Sequence, residues 1–298
     1  MTDITYSEIF YSPQGEGLYT GVPTLWIRFH LCNLQCDGFG QDDPTDPESY
    51  DLPYKDFDPD KIDRVEDLPV FERGCDSSYT WAKKFKHLMH TADDERVVKR
   101  LRQQMTNEFN PDGKFGPRHM CFTGGEPLLK KSQRGIAAII DRFMEQDDIP
   151  PSITFETNGT QKLTELLIES LRRYRDHGGE VFMSVSPKLF MVSGEKESKA
   201  LKQDVIDQLI RFSDNHQLKF VLDDKPATWE YFDQLMDQWE KSLTLPFFDR
   251  TKVHIMPVGA TDDSQYNIAG AISDMAIARG YNVAARVHTY LYGNQIGT

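Results

Sequence analysis

RHMCFTGGEPLLKKSQRGIAAIIDRFMEQDDIPPSITFETNGT, residues 118–160, decides the fold. An apolar strand near 118–123 runs through a glycine turn into a helical pattern over 131–146, and a second strand follows near 152–156. This is one β-α-β unit, and the same rhythm continues on both sides of it. Strands are expected near 23–30, 180–186, 217–222, 252–257 and 282–288, with helices at about 93–108, 162–176, 198–214, 227–241 and 264–279. Apolar residues recur at three and four in the helices, as in Leu163, Leu166, Leu167 and Leu171. Repeated units of this kind imply an α/β fold with a parallel sheet, a barrel or part of one. In such folds the carboxyl ends of the strands carry the chemistry, and the unusual loops TGGEP, ETNGT and SPK all fall there.

At 298 residues the chain suits one large α/β domain, and 39% hydrophobic residues suffice for a core. A net charge of −13, with acids spread along the chain, argues against a broad phosphate-binding face and hence against a nucleic-acid partner. No apolar run approaches the roughly 20 residues that cross a bilayer, and MTDITYSEIF lacks the basic and apolar parts of a signal peptide. A cytoplasmic protein acting on a small molecule is expected. Four cysteines in that compartment point to metal or catalytic roles rather than to disulfides.

Cys32 and Cys36 stand four apart in LCNLQC, directly after the strand TLWIRFH. From spacing alone they fit buried thiols, half of a zinc site, or part of an iron–sulfur site. Residues 37–74 are rich in Asp and Pro and poor in aliphatic residues, so they read as a long loop rather than as core. Their carboxylates fit a solvated surface better than a metal site. Cys121, inside the apolar strand HMCFTG, reads as a small buried thiol.

Several fragments, in order along the chain, resemble one family. EIFYSPQGEGLYTGVPTLWIRFHLCNLQC at the start is followed by GCDSSYTW at 74–81, TGGEPLL at 123–129, FETNGT at 155–160 and SVSPK at 184–188. LKFV at 218–221, MPVG at 256–259 and RVHTYLYGN at 286–294 complete the set. Together they are similar to the 7-carboxy-7-deazaguanine synthases of the radical S-adenosylmethionine superfamily, enzymes of queuosine-type 7-deazapurine biosynthesis. That superfamily usually carries Cys-x3-Cys-x2-Cys, and here Phe39 occupies the third position. GCDSSYTW resembles what normally follows the third cysteine, so the resemblance makes Cys75 that ligand and 37–74 an insertion in the cluster loop. Stretching this closure from two residues to 38 costs roughly 2 kcal/mol if the loop is flexible. Metal–thiolate ligation is worth on the order of 10 kcal/mol and tolerates it.

The resemblance implies a single domain over 1–298, a partial (β/α) barrel of the radical S-adenosylmethionine type. Its [4Fe-4S] cluster would be held by Cys32, Cys36 and Cys75, leaving one iron open to S-adenosylmethionine. Gly124, Gly125, Glu126, Thr157, Asn158, Ser184, Ser186 and Lys188 would bind that cofactor. Glu126 has the chemistry to meet an ammonium, although GGEP alone also fits a plain strand-ending turn. Ser77 would meet Mg2+, while Gln14, Glu16, Arg28 and His288 would hold the pterin substrate. Arg28 also fits a structural ion pair, and His288 a packed strand histidine.

The implied reaction turns 6-carboxy-5,6,7,8-tetrahydropterin into 7-carboxy-7-deazaguanine by radical ring contraction with loss of ammonia, and it requires a one-electron reductant. A homodimer follows by analogy alone. The alternatives are another radical S-adenosylmethionine reaction, such as glycyl-radical activation, and a cluster-free binding or regulatory protein on the same scaffold.

Overall fold

The computed structural model describes residues 1–298 and contains one nine-stranded sheet. The strands are β1 (Asp3–Pro13), β2 (Pro23–Phe29), β3 (His90–Asp93), β4 (His119–Gly124), β5 (Ser152–Thr157), β6 (Glu180–Val185), β7 (Asn215–Leu222), β8 (Val253–Pro257) and β9 (Asn282–Val283). Their order is β3-β1-β2-β4-β5-β6-β7-β8-β9, so the sheet is open, with β3 and β9 at its edges. β1 pairs antiparallel with both β2 and β3, and every pairing from β2 to β9 is parallel.

Alternation along the strands separates core from site. Leu25, Ile27, Phe29, Phe122, Phe155, Met183, Phe220 and Ile255 lie in a cluster of 48 buried apolar residues shared with the helices. Trp26, Arg28, Thr123, Glu156, Ser184, Lys219 and Met256, at the intervening positions, line a cavity on the other face. The crossover helices are Asp94–Met105, Lys130–Glu145, Glu165–Asp176, Gln203–Phe212, Pro226–Glu240 and Asp262–Ala278. Their starts follow from capping chemistry. The Asp93 carboxylate accepts from Arg96 N, the Thr164 hydroxyl from Leu167 N, and Thr261 with Ser264 forms a capping box.

Three expectations need correction. The strand expected at 282–288 stops at Val283, and Val287–Tyr292 is a short helix. His288 therefore sits on a helix, because the chain leaves the sheet once Val287 N bonds Gly15 O at 2.8 Å. β1 and β3 were not legible as strands: β1 mixes polar and apolar residues, and its register shifts between Tyr6 and Glu8. Residues 37–74 are also more than a solvated loop. Leu52, Tyr54, Val65, Leu68 and Phe71 bury themselves with Tyr79, Ala82, Phe85 and Leu88 in a second apolar cluster. The segment's 13 acidic and four basic residues carry a net −9 of the chain's −13, and every acid except Asp37 is exposed. Aromatic side chains inside and carboxylates outside make it a small folded excursion.

Candidate active site

The site is built where β2 ends. Beyond Phe29 the chain turns through Leu31 (φ 78°) and Cys36 (φ 55°), two left-handed positions without glycine. Such strain persists where surrounding contacts hold it. The TGGEP turn supplies one set of contacts: Gly125 N bonds Phe29 O at 3.3 Å and Glu126 N bonds Leu31 O at 2.9 Å. A Cβ on Gly125 would lie 2.3 Å from Leu31 O and 2.8 Å from the Cys32 Cβ. That glycine therefore admits the cysteine loop itself, while both Gly124 and Gly125 also line the cavity. The second set comes from Glu195, whose carboxylate accepts from Gln35 N (2.5 Å) and Cys36 N (3.0 Å).

Glu126 departs from the role expected of it. It is fully buried and does not line the cavity. Its carboxylate accepts from Leu128 N (2.9 Å), Asn158 N (2.8 Å) and the Thr157 hydroxyl (2.8 Å), which ties the GGEP turn to the ETNG turn. Burial pushes its carboxyl up to about 7, against the pull of these three donors.

The cysteines converge despite the interruption. Gly74 N bonds Phe39 O at 2.8 Å, and a Cβ on Gly40 would lie 3.1 Å from Glu72 O, so the excursion returns to the point it left. Cys32, Phe39 and Cys75 pack around Leu34, Cys36 and Ala200, and all three thiols line the cavity. Burial pushes Cys32 up to about 12 and holds Cys36 and Cys75 above the ordinary thiol range. Cys121 is buried against Phe10 and Trp26 and does not line the cavity.

The cavity measures about 270 Å³ and gathers every other residue expected in the site. In its wall, Glu16 pairs with Lys219 and with Arg286 Nε at 3.0 Å, and His288 Nε2 stands 3.9 Å away. Burial alone would raise the Glu16 carboxyl, but Lys219, Arg286 and His288 hold it well below the usual carboxylate range. Gln14 Oε1 accepts from Glu16 N at 3.1 Å. His288 packs on the same turn, since a Cβ on Gly15 would lie 2.1 Å from its Nδ1, and burial lowers its pKa. Arg28 forms a 2.6 Å ion pair from Nε to Glu8, the structural pairing it was expected to fit, and its terminal nitrogens have no protein acceptor. Asp76 meets Arg286 Nη2 at 2.8 Å, and the neighbouring Ser77 Oγ lies 3.4 Å from Cys75 Sγ. The Asn158 amide donates to Asn33 at 3.2 Å, Ser184 accepts from Gln217 at 2.9 Å, and Lys188 donates to Ser186 at 2.9 Å. Lys188 Nζ also stands 5.7 Å above the Phe39 ring.

Among curated proteins, a 7-carboxy-7-deazaguanine synthase of Rhodopirellula baltica is 25% identical over 306 aligned positions, covering 100% of this chain and 90% of that protein. Another, from Thermoplasma acidophilum, is 23% identical and covers 98% of each chain. A third, from Bacteroides thetaiotaomicron, is 63% identical over 30 residues, or 10% of this chain and 16% of that protein. Along its full length the chain is similar to 7-carboxy-7-deazaguanine synthases. The crystal structure of QueE from Escherichia coli has the same fold, with a TM-score of 0.52, 19% identity and coverage of 96% of this chain and 95% of that one. No protein-family model matches the chain.

Four residues that the structure places around Glu16 and Arg28 escaped sequence reasoning: Glu8, Asp76, Lys219 and Arg286. Lys219 left a signal, a lysine in the middle of the apolar strand HQLKFVL. Asp76 and Arg286 adjoin motif residues, whereas Glu8 lies on the strand that was not legible.

Proposed function

We propose that the protein converts 6-carboxy-5,6,7,8-tetrahydropterin to 7-carboxy-7-deazaguanine by radical ring contraction with loss of ammonia. One observation carries this reading: three thiols, two of them separated by 38 residues, share a cavity wall with Gln14, Glu16, Arg28 and His288. Full-length similarity to proteins of that name supports it.

The donor set fits an iron–sulfur cluster. One buried and two partly buried thiols, all with raised pKa values, have only Lys188 among nearby cations, so their ionisation calls for a bound metal centre. Cys32, Cys36 and Cys75 would hold the [4Fe-4S] cluster, and Ser77 would give its hydroxyl to Mg2+. Gly124, Gly125, Thr157, Asn158, Ser184, Ser186 and Lys188 would bind S-adenosylmethionine, with Glu126 fixing the two turns that carry four of them. When bound, the cluster and S-adenosylmethionine supply a one-electron reductive cleavage that yields a radical able to take hydrogen from the substrate.

The chain's own residues do the rest. Lys219 and Arg286 keep Glu16 ionised, so its carboxylate can accept from the amino edge of a pterin. The uncommitted Arg28 nitrogens can take the substrate carboxylate in a bidentate pair. The helix bearing His288 and the excursion over 40–74 help to close the cavity against water, which protects a radical from side reactions. A one-electron reductant, a homodimer and a cytoplasmic setting complete the proposal, without nucleic-acid or membrane partners. No helix is long and apolar enough to cross a membrane.

The test is anaerobic turnover of 6-carboxy-5,6,7,8-tetrahydropterin by the reconstituted protein, with iron and sulfide counted per chain. Formation of 7-carboxy-7-deazaguanine is expected. Cleavage of S-adenosylmethionine with the pterin untouched would replace this reading with another radical reaction, and a protein that bound no iron would replace it with a cluster-free role.

A further inference from the structure

Lys219 is the most deeply buried cation of the cavity wall, with a side chain only 5% exposed. It occupies an inward position of β7, between Leu218 and Phe220 of the core. Burying an ammonium is costly unless its donors are used. Of its three N–H donors the protein engages one, to Glu16 Oε2; Glu156 Oε1 stands at 3.7 Å, beyond hydrogen-bond range. Two donors remain uncommitted beside an ionised carboxylate.

The other cation on Glu16 is more fully committed, with one N–H of Nη1 left over. Each nitrogen of Arg286 already donates: Nε to Glu16, Nη1 to Gly259 O at 2.6 Å, and Nη2 to Asp76 with His288 Nε2 at 3.3 Å. His254, paired in register with Lys219 on β8, is held down to about 4 by burial and by the nearby Lys219 and Lys252, and so is neutral near pH 7.

A 2-amino-4-oxopyrimidine ring presents along one edge an amino donor, a ring N–H donor and then a carbonyl acceptor. An ionised carboxylate satisfies the first two. The third needs an N–H donor immediately beside that carboxylate. We propose that Lys219 is a specificity residue that donates to the 4-oxo group of the substrate while Glu16 takes the 2-amino edge. This inference rests on the pterin reading above and extends it to a residue that selects for the oxo form.

The test uses two stable probes: pterin-6-carboxylate, which presents N3–H and a 4-oxo acceptor, and 2,4-diaminopteridine-6-carboxylate, which presents a bare N3 and a 4-amino donor. Binding is titrated anaerobically to the cluster-loaded protein with S-adenosylmethionine present, at a pH where both rings are uncharged. The native protein is expected to prefer the oxo probe by on the order of 100-fold, because the diamino probe sets a donor against an ammonium. Lys219→Met should weaken the oxo probe and cut the preference roughly tenfold, leaving the part that N3–H on Glu16 supplies, and Lys219→Arg should restore part of the loss. Glu16→Gln should weaken the oxo probe more than the diamino probe, since only the oxo probe gives Glu16 both the 2-amino group and N3–H. An undiminished preference in a folded Lys219→Met protein would overturn the assignment. Should that variant not fold, the 4-carbonyl stretch of the oxo probe on the native protein decides: a shift to lower wavenumber supports the contact, and an unshifted band refutes it. If the native protein bound neither probe, the pterin reading itself would fall, a result distinct from loss of selectivity alone.

Discussion

Glu195 offers a direct perturbation of the cysteine loop. It is 7% exposed and its Oε1 takes both Gln35 N and Cys36 N, holding Cys36 at φ 55°. Hydrogen bonds to a charged group contribute about 1.5–3 kcal/mol each. Gln35 is itself exposed, so its N–H can recover water and the pair together is worth roughly 3–4 kcal/mol. Left-handed backbone at a residue with a Cβ adds about 1–2 kcal/mol of strain that these bonds restrain. Glu195→Ala should therefore lower the melting temperature of the metal-free protein by roughly 8–12 °C, at about 2–4 °C per kcal/mol for a domain of this size. Glu195→Gln keeps an accepting oxygen without the charge and should lose only about 1 kcal/mol. Calorimetry of the metal-free protein gives the first readout, and iron per chain after reconstitution gives the second. Both should fall in the order native, Gln, Ala. A Glu195→Ala protein that melts within about 2 °C of native and takes up full iron would show that the loop holds itself.

Cys75→Ala should cut iron per chain steeply while leaving the metal-free melting temperature near native. Adding Phe39→Cys should recover part of the iron, because Phe39 O is bonded to Gly74 N; an unchanged iron count in Cys75→Ala would remove Cys75 from the ligand set. Phe71, 2% exposed and ringed by Tyr54, Phe57 and Phe85, anchors the excursion. Phe71→Ala should cost about 3–5 kcal/mol locally and open 40–73 to limited proteolysis before the sheet unfolds; native resistance would contradict it. Burial of Glu126 raises its folded pKa from 4.5 to about 7, so folding favours the protonated form. That stabilisation is complete below about pH 4.5 and disappears as pH rises through 7. The unfolding free energy of native protein relative to Glu126→Gln, from urea titrations, should accordingly fall by up to about 3 kcal/mol between pH 4.5 and 7.5, and a rising difference would refute the burial argument.

The parallel half of the sheet was legible because each strand from β4 to β8 is a short apolar run that stops at an unusual loop. Period and punctuation agree there. β1 was not legible, since it buries the polar Ser7, Glu8 and Ser12 among its apolar residues and a bulge breaks the alternation. The end of the chain misled for a related reason: RVH has strand character, but Arg286 is drawn off the sheet by Glu16, Asp76 and Gly259. Partners so distant in sequence leave no local trace. The same applies to Glu126, whose neighbours in GGEP suggest a ligand contact while its bonding partners lie on the next turn.

Residues 37–74 show why a motif is better understood as a geometry than as a spacing. Three thiolates around one metal centre need fixed positions in space, and the chain between them is free to wander if it comes back. Here the return is enforced by the Phe39–Gly74 hydrogen bond and by Gly38 N on Ser193 O at 3.0 Å. Gln41 adds paired bonds to Asp51, and Tyr54 donates to Asp37 at 2.8 Å. A flexible loop of this length would cost roughly 2 kcal/mol in closure. Burying Leu52, Tyr54, Val65, Leu68 and Phe71 gains about 1.5–3 kcal/mol for each large side chain, set against the entropy of ordering the segment. The excursion thus supplies much of its own stability, and the cysteine loop need not hold it in place. Its carboxylates, turned outward, keep the cover soluble without placing uncompensated charge against the thiols.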